Sequence, residues 1–599
     1  MTYRDGDPFE GHGDDDSSDS DSSIGSEDNV DDRLSPHGQY YEEMEELVFN
    51  ESGRNRYAEP ARFIFPANEG FDQFPDVEKP IVEYFYLVFP MIFINIILAA
   101  TNTVLTASNY SEYVKRQLDK GEFLKWIGIR LCMVLTPLRG GIDAYFAVGS
   151  AEGTVYEGGN YGRRFGMPKN RFKAIQESLR FTAEAEHNDD PWRPIRQFIV
   201  AFNLRMSVVL IPGCFLCIDE CMSMWKGMDY NIAGIFGLPH KTKIARKPEG
   251  VGCEMKSLAD VTTGCLLLLD IMEGRERQEQ KEYANLGAGT GTTKRMTKKY
   301  HGTNRVCIGD SWFASFLTAL ELFNVGLFFM GIVKTASRFF PKKFLSEWCE
   351  ANNARERRGR HKLLRTRKDG VNIYALGWSD KKGKQVVFTT GTTLAAEPSR
   401  RRRHKRVLVD GVWRKETYEK VVPRPEIMKE LFDGFSAVDV HDHLRQGSIE
   451  MEREWITRDW VLRLFGTLLS MIMVNAYLAY RYMTGREDDL NKFLGHLALQ
   501  LINNKFIDRG AMVLRRRQRD EGVEEVEVLV HEAGYLCQLP LYADLKGTSQ
   551  RARRRCKREG CAAPTGVYCI QCSDIANNVF VCYCYNTRTC FMQHTVAEL

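Results

Sequence analysis

The segment GFSAVDVHDHLRQG, Gly434 to Gly447, places two carboxylates and two imidazoles within five positions: Asp439, His441, Asp442 and His443. On a helix, Asp439 and Asp442 stand at i and i+3 and share a face, which His443 joins and His441 leaves. On a strand, Asp439, His441 and His443 would share a face instead and build a zinc-like site. Two other acids close apolar runs. CFLCIDE carries Asp219 at the polar end of a run, and RVCIGD does the same for Asp310. A buried strand that ends in a carboxylate is a rigid mount for a metal ligand. Two such strands in one sheet bring two carboxylates together, and carboxylate oxygens suit hard Mg²⁺. Phosphoryl transfer uses this arrangement, with two ions about 3.5–4 Å apart on the attacking and leaving oxygens. An acid after a strand also caps the next helix, so these segments carry weight only together.

A second constellation lies at the C-terminus. Seven of the sixteen cysteines fall between Cys556 and Cys590. The spacing is Cys556-x4-Cys561, Cys569-x2-Cys572, Cys582-x-Cys584 and Cys590-x3-His594. Eight thiol and imidazole ligands make two tetrahedral Zn²⁺ sites. A unit this short has no core of its own, so folding requires metal. The N-terminus has no apolar stretch of the secretory kind, so the thiols are expected reduced. A RING-like interaction module would use similar ligands; the preceding RARRRCKR favours DNA.

The elements that must position these residues can be read from composition and period. The chain has 599 residues, too many for one core. Its net charge of +3 hides an asymmetry: residues 1–50 hold sixteen acids against Arg4 and Arg33, a net of −14, which leaves +17 on the rest. A basic body suits a polyanion, most commonly nucleic acid. Residues 80–206 read as helical, including Glu112–Leu135 and Lys169–Phe181. The apolar run Phe85–Leu105 is interrupted by Pro90, Asn95 and Asn102 and reads as a buried helix, not a membrane span. Asn304–Val333 reads as strand, helix, strand, with the helix from about Ser311 to Asn324. NIYALGWSDKKGKQVVFTTG alternates like a small antiparallel sheet between two basic runs. Arg458–Met483 reads as a long amphipathic helix. No internal repeat is present.

Three motifs are set aside. Cys214, Cys217 and Cys221 sit on a predicted core strand and read as buried thiols. GAGTGTTK, Gly287 to Lys294, lacks the Gly-Lys-Ser/Thr ending of a phosphate loop and reads as a flexible loop. SRRRRHKRV reads as a nuclear import signal, a DNA contact or both, with a merely solvated basic face as the alternative.

Taken in order, these segments resemble the piggyBac-type DDE transposases. CIDECMSMWKG is similar to the family's Asp-Glu segment ending in Lys-Gly. RKPEGVGCEMKSLADVTTG resembles its Lys-Pro segment and following strand. IGDSWFASFLTALELFNVGLFFMGIVKTASRFFP resembles the second motif, and GFSAVDVHDHLRQG the third. RDWVLRLFGTLLSMIMVNAYLAY resembles the Trp-containing helix ending in Asn-Ala. The resemblance covers roughly residues 80–485. Ser311 stands where Asn is usual, His443 where Gln is usual and Ala437 where Gly is common.

The resemblance implies a multidomain α/β chain with an RNase H-like catalytic core, a mixed sheet with helices. Helical domains, a basic insertion and a C-terminal zinc-binding Cys-rich domain would flank it. The expected divisions are an acidic disordered tail, 1–78; a helical dimerisation and DNA-binding domain, 79–206; the first part of the core, 207–336; and a basic β-rich insertion, 337–430. The second part of the core, 431–452, a helical DNA-binding region, 453–510, a linker, 511–550, and the Cys-rich domain, 551–599, follow. Asp219, Asp310 and Asp439 would ligate two Mg²⁺ or Mn²⁺ ions, with Asp442 as an accompanying acid. Two Zn²⁺ ions would occupy the C-terminal unit. The implied reaction is DNA nicking, hairpin formation and joining at TTAA by a nuclear homodimer on double-stranded DNA. Neither membrane nor small-molecule substrate is expected. The rival reading is a domesticated transposase that binds DNA without cutting.

Overall fold

The computed structural model describes residues 37–49, 52–66, 79–149, 155–182, 189–229 and 237–507 except 246, 248–249, 335–336 and 410. It also describes 536–538, 553–557, 561, 563–569 and 581–582. The chain divides into two compact units: Met1–Leu118 with Ile127–Gln500, and Asp119–Trp126 with Leu501–Leu599.

In the larger unit, ten strands among the described residues form one mixed sheet. They are β1 (Glu42–Met44), β2 (Phe215–Met224), β3 (Thr242–Lys243), β4 (Val251–Asp260), β5 (Leu266–Ile271) and β6 (Val306–Gly309). β7 (Phe328–Ile332), β8 (His361–Lys368), β9 (Val371–Trp378) and β10 (Lys384–Phe388) complete it. The spatial order is β1-β8-β9-β10-β7-β6-β2-β4-β3, with β5 also on β4. β6 runs parallel to both β2 and β7, and the other pairings are antiparallel. β6 and β7 are buried along their whole length. Continuous apolar strands of this kind are what a parallel centre covered on both faces requires.

Two expectations change here. β2 does not stop at Asp219. It continues to Met224 because its antiparallel ladder with β4 continues to the pair Met224–Gly252. The parallel neighbour β6 is the strand that ends, at Gly309. Residues 361–388, assigned from sequence to a basic insertion, form three strands of the central sheet through the β10–β7 ladder. Only Ala395–Val409 and Val412–Pro425 form a separate two-stranded ribbon. It closes on the pair Val409–Val412, where the Asp-Gly sequence suits a two-residue hairpin turn and Gly411 has φ 77°.

Among the described residues, the helices of eight residues or more are α1 (Ile81–Val88), α2 (Ile94–Thr106), α3 (Lys120–Leu135), α4 (Lys169–Ser178), α5 (Arg193–Val209) and α6 (Ala288–Met296). They continue with α7 (Phe316–Asn324), α8 (Lys342–Ala351), α9 (Glu426–Phe435), α10 (Ala437–Leu444), α11 (Trp460–Thr484) and α12 (Leu490–Ile502). The apolar run at 85–105 is not one helix. Pro90 lacks an N–H and forces Phe89 to an extended conformation, so the chain turns by 76° between α1 and the segment from Met91. α11 begins where the Asp459 carboxylate accepts the N–H groups of Val461 and Leu462, and ends at Gly485 with φ 67°. It is long and apolar enough to cross a membrane, yet 83% of its apolar window is buried inside the protein. It is apolar on nearly every side because α5 and the sheet both pack on it. Phe465 meets Phe181 and Phe198 with ring centroids 4.5 and 5.4 Å apart.

The smaller unit is described in pieces. Asn504 Nδ2 donates to the Gly121 carbonyl at 2.9 Å, and Lys120 lies over the Phe506 ring. Leu536–Gln538 pairs with Val567–Cys569, and Arg554–Arg555 with Pro564–Thr565.

Candidate active site

Register brings the first two acids together. The parallel ladder pairs Ile218 of β2 with Gly309 of β6, and each is followed by its aspartate. Asp219 and Asp310 are buried, with 6% and 7% exposure. Carboxylate oxygens of Asp219, Glu220 and Asp310 lie within 4.8 Å of one another. Glu220 was not among the residues selected from sequence. Neighbours on a strand alternate faces, so an acid beside a candidate ligand is discounted. Its longer side chain nevertheless brings its carboxylate into the cluster.

Backbone groups fix two of these acids. Asp219 Oδ1 accepts the Glu220 N–H at 2.7 Å, and Asp310 Oδ1 accepts the Trp312 N–H at 2.9 Å. The latter belongs to a loop that the sequence reading assigned to helix. α7 starts only at Phe316, because Ser315 caps it by accepting the Thr318 N–H at 3.0 Å. Residues 311–315 are thereby free to shape the site's rim.

α10 supplies the third segment, and it is helical. α9, immediately before it, packs closely on β6. A Cβ on Gly434 would stand 2.3 Å from Ile308 Cδ1, so a larger residue there requires the Ile308 side chain to shift. On α10, Val438, His441, Asp442 and Leu444 face inward, while Asp439 and His443 are exposed. Asp439 acts on the cluster by charge. Burial pushes the Asp219 carboxyl well above the usual carboxylate range, and the charges of Glu220, Asp439 and Asp310 push it further, against Lys247.

Asp442 is held in a different network. Its Oδ1 accepts from Arg445 Nε and Nη2, both at 3.2 Å. Arg445 is 1% exposed, donates to the Met222 carbonyl at 2.9 Å and pairs with Glu452. Burial raises the Asp442 carboxyl, while the Arg445 and Lys247 charges pull it back. Arg445 thus ties α10 to the continuation of β2 past Asp219. His441 is buried and hydrogen-bonded to Asn475 Oδ1 at 3.2 Å. The Asn475 amide also joins α11 to β5, accepting from the Leu266 N–H and donating to the Leu266 carbonyl, each at 2.9 Å.

Two lysines serve the cluster. Lys247 donates to the Glu220 carbonyl oxygen. Burial works against its charge, but Asp442, Asp219 and Glu220 more than offset that and hold its ammonium above the ordinary range. Lys256 Nζ lies 2.7 Å from Glu254 and 3.9 Å from Glu220.

A buried carboxylate trio that repels itself is the donor set of a hard divalent cation. Oxygen ligands alone, with no thiol or imidazole among them, fit Mg²⁺ or Mn²⁺ rather than Zn²⁺. Asp219, Glu220 and Asp310 are the residues that would hold it, with Asp439 within electrostatic reach.

Of the C-terminal ligands, Cys556, Cys561, Cys569 and Cys582 fall among the described residues; Cys572, Cys584, Cys590 and His594 lie outside them. Cys556, Cys561 and Cys582 are free thiols. Lys557 N donates to the Cys582 carbonyl at 2.8 Å, and burial pushes the Cys582 thiol up to about 11. GAGTGTTK, expected as a loop, forms most of α6. Gly289 and Gly291 are needed there because Cβ atoms would stand 2.4 Å from the Trp312 carbonyl oxygen and 2.2 Å from that of Tyr283.

Comparison with known proteins gives three findings. A family model described as Transposase IS4 matches residues 81–477. A cryo-EM structure of a piggyBac transposase synaptic complex with hairpin DNA is similar in fold, with a TM-score of 0.55 at 18% identity. That likeness covers 85% of this chain and 98% of the other. No curated protein sequence matches.

Proposed function

Because the chain belongs to the piggyBac-type DDE transposases, the family whose Transposase IS4 model spans residues 81–477, we propose that it cuts DNA at element ends and joins them to a target. The observation that carries this reading is the buried carboxylate cluster of Asp219, Glu220 and Asp310. Asp219 sits on β2 and Asp310 directly after the end of its parallel neighbour β6, and the α10 helix brings Asp439 within electrostatic reach. A bound pair of Mg²⁺ or Mn²⁺ ions would supply charge for the attacking and leaving oxygens of an in-line phosphoryl transfer. The chain's own residues do the rest. Asp219, Asp310 and Asp439, with Glu220, hold ligand oxygens on rigid elements. Lys247 offsets part of the negative charge of Asp219, Glu220 and Asp442. Arg445 locks Asp442 and holds α10 in place.

No serine or tyrosine nucleophile is required. Water opens the strand, and the freed 3′-hydroxyl then attacks a second phosphorus. Cut-and-paste movement at TTAA, a paired-end homodimer and nuclear residence follow from the family and are part of the proposal. Phosphate contacts would come from the basic ribbon at 395–425, which carries Arg400 to Arg403, Lys405 and Arg406, and from the helical segments around the core. Two zinc ions on Cys556, Cys561, Cys569, Cys572, Cys582, Cys584, Cys590 and His594 would fold the C-terminal unit for DNA-end binding.

The test is cleavage of duplex DNA taken from the borders of the coding sequence, with purified full chain and Mg²⁺ or Mn²⁺. Metal-dependent nicking that Asp310→Asn abolishes without weakening binding supports the proposal. Intact DNA bound equally by both proteins overturns it in favour of a non-cleaving DNA-binding protein.

A further inference from the structure

We propose that the tip of the two-stranded ribbon, the cross-strand pair Leu408–Trp413, is an apolar wedge that enters the minor groove of duplex DNA and parts one base step, with Arg406 and Lys415 on the phosphates at the lips of the groove. This rests on the reading of duplex DNA as the partner, and not on cleavage.

The ribbon is held at one end and free at the other. At its base Val422 is buried in the core of the central sheet, and Trp378 Nε1 donates to the Pro423 carbonyl at 3.2 Å. Arg401 and Lys420 stand directly opposite each other, and Asp380 accepts from both, at 2.8 and 3.4 Å. Val409 lies eight residues beyond Arg401, so the arm runs about 27 Å past this clamp at strand spacing. Every residue from Val412 to Glu419 is exposed.

Two features of the far end are unfavourable in water. Leu408 and Trp413 face each other across the strands at 55% and 66% exposure, and the exposed Val409 and Val412 follow them at the turn. Single exposed apolar residues are ordinary, but here they are grouped at the end of an arm. The next pair on the face of Leu408 and Trp413 is Arg406–Lys415. Like charges directly opposite repel each other. At the base Asp380 relieves the same repulsion, whereas Arg406 and Lys415 have no acidic partner among the described residues. Lys405 has Glu416 at 3.1 Å and Arg400 has Glu419 at 3.2 Å. The unbalanced pair therefore sits immediately behind the apolar tip.

A ligand that relieves both features is an apolar slot with anions on either side. Duplex DNA is built that way, with phosphate rows flanking a groove floored by stacked bases. The major groove is lined with donors and acceptors that Leu and Val side chains cannot use. The minor groove is about 7.5 Å deep, and two residues along a strand advance about 6.8 Å. A tip at the groove floor thus sets Arg406 and Lys415 at the level of the phosphates. The groove is only about 6 Å wide, too narrow for two strands about 4.8 Å apart with their side chains, so entry requires it to open. Apolar side chains pushed between base pairs open it and kink the duplex toward the major groove. The step is non-covalent.

The experiment uses full-length protein and a duplex of about 30 base pairs with a central TA step and donor and acceptor dyes at its two ends. Binding of the wild type should bring the ends together and raise energy transfer. Leu408→Ser with Trp413→Ser should keep the wild-type melting temperature, bind with the same salt dependence and leave energy transfer at the level of free DNA. Arg406→Gln with Lys415→Gln should bind more weakly and lower the slope of log affinity against log salt by about two. A wild type that binds no duplex overturns this proposal and the DNA-cutting reading together. A wild type that leaves the bound duplex straight, or a tip variant that bends it equally, overturns the wedge alone. An unchanged salt slope in the charge variant overturns the phosphate contacts. A tip variant that turns from dimer to monomer by light scattering without DNA overturns the wedge in favour of a contact between copies of the chain.

Discussion

Asp219 and Asp310 stand side by side because the parallel ladder pairs Ile218 with Gly309, and each strand carries its aspartate one residue further on. A one-residue slip of β6 against β2 would turn one carboxylate to the opposite face of the sheet. Removing a ligand from such a site costs several kcal/mol of transition-state stabilisation. Asp219→Asn and Asp310→Asn should therefore each lower metal-dependent strand cleavage by about a thousandfold, read on gels with end-labelled DNA. Both should melt no lower than the wild type without metal, because each relieves charge repulsion in a buried cluster.

Glu220 is the member of the carboxylate cluster that sequence reasoning passed over. Glu220→Gln should raise the Mg²⁺ concentration needed for half-maximal cleavage by about tenfold, while saturating Mn²⁺ recovers most of the rate. An unchanged metal titration would show that the Glu220 carboxylate serves Lys256 alone.

Asp439 and Asp442 should separate by phenotype. Asp439 is exposed beside the cluster, and Asp442 is committed to Arg445. Asp439→Asn should abolish cleavage with little change in stability. Arg445→Met should cost about 3–5 kcal/mol of stability, since it removes the ion-pair partner of both buried Asp442 and buried Glu452. Urea denaturation midpoints beside cleavage rates distinguish the two.

His441 sets an acid limit on the fold. Burial lowers its imidazole from 6.5 to about 3, with the Arg445 charge adding to the effect. The folded value is depressed, so the unfolded chain binds the proton more readily between these limits. The stability His441 contributes is complete above pH 6.5 and is lost as pH falls towards about 3, by up to about 1.4 kcal/mol per pH unit. His441→Gln should flatten this slope, measured as urea midpoints from pH 7 to pH 4. An identical slope in the variant would assign the acid sensitivity to other groups.

The C-terminal unit should carry metal. Cys556, Cys561, Cys569, Cys572, Cys582, Cys584, Cys590 and His594 supply the eight thiol and imidazole ligands of two tetrahedral sites. Full-length protein should contain two zinc ions per chain by elemental analysis, and chelation should lower DNA-end binding without altering nicking of bound DNA. Less than one zinc per chain would sink this assignment.

The acids and much of the local structure are legible in short windows of the sequence. The spacing in 437–444 left helix and strand both open until the structure showed the α10 helix, but Thr-Gly between two apolar runs marked the β4–β5 turn, and the run 304–333 marked β6, α7 and β7. Those are local properties, fixed by alternation, turn chemistry and caps within a few residues. The ordered acid-bearing segments also pointed to the family, because their sequence order needs no knowledge of distance.

Which acids share a site and which are spent elsewhere depends on contacts between distant segments. The length of β2 depends on its β4 partner, so Asp219 lies within a strand and not at its end. Residues 361–388 look like an insertion by charge, but their inward faces, including Leu364, Leu376 and Val386, complete the central sheet. Asp442 matched Asp439 in type and spacing, yet a buried Arg445 claims it. Glu220 alternated away from Asp219 on paper, and side-chain length returned it to the cluster. Each difference arises from partners far away in the chain. Burial, register and charge pairing are set between segments, and no window of sequence contains both sides of such a pair.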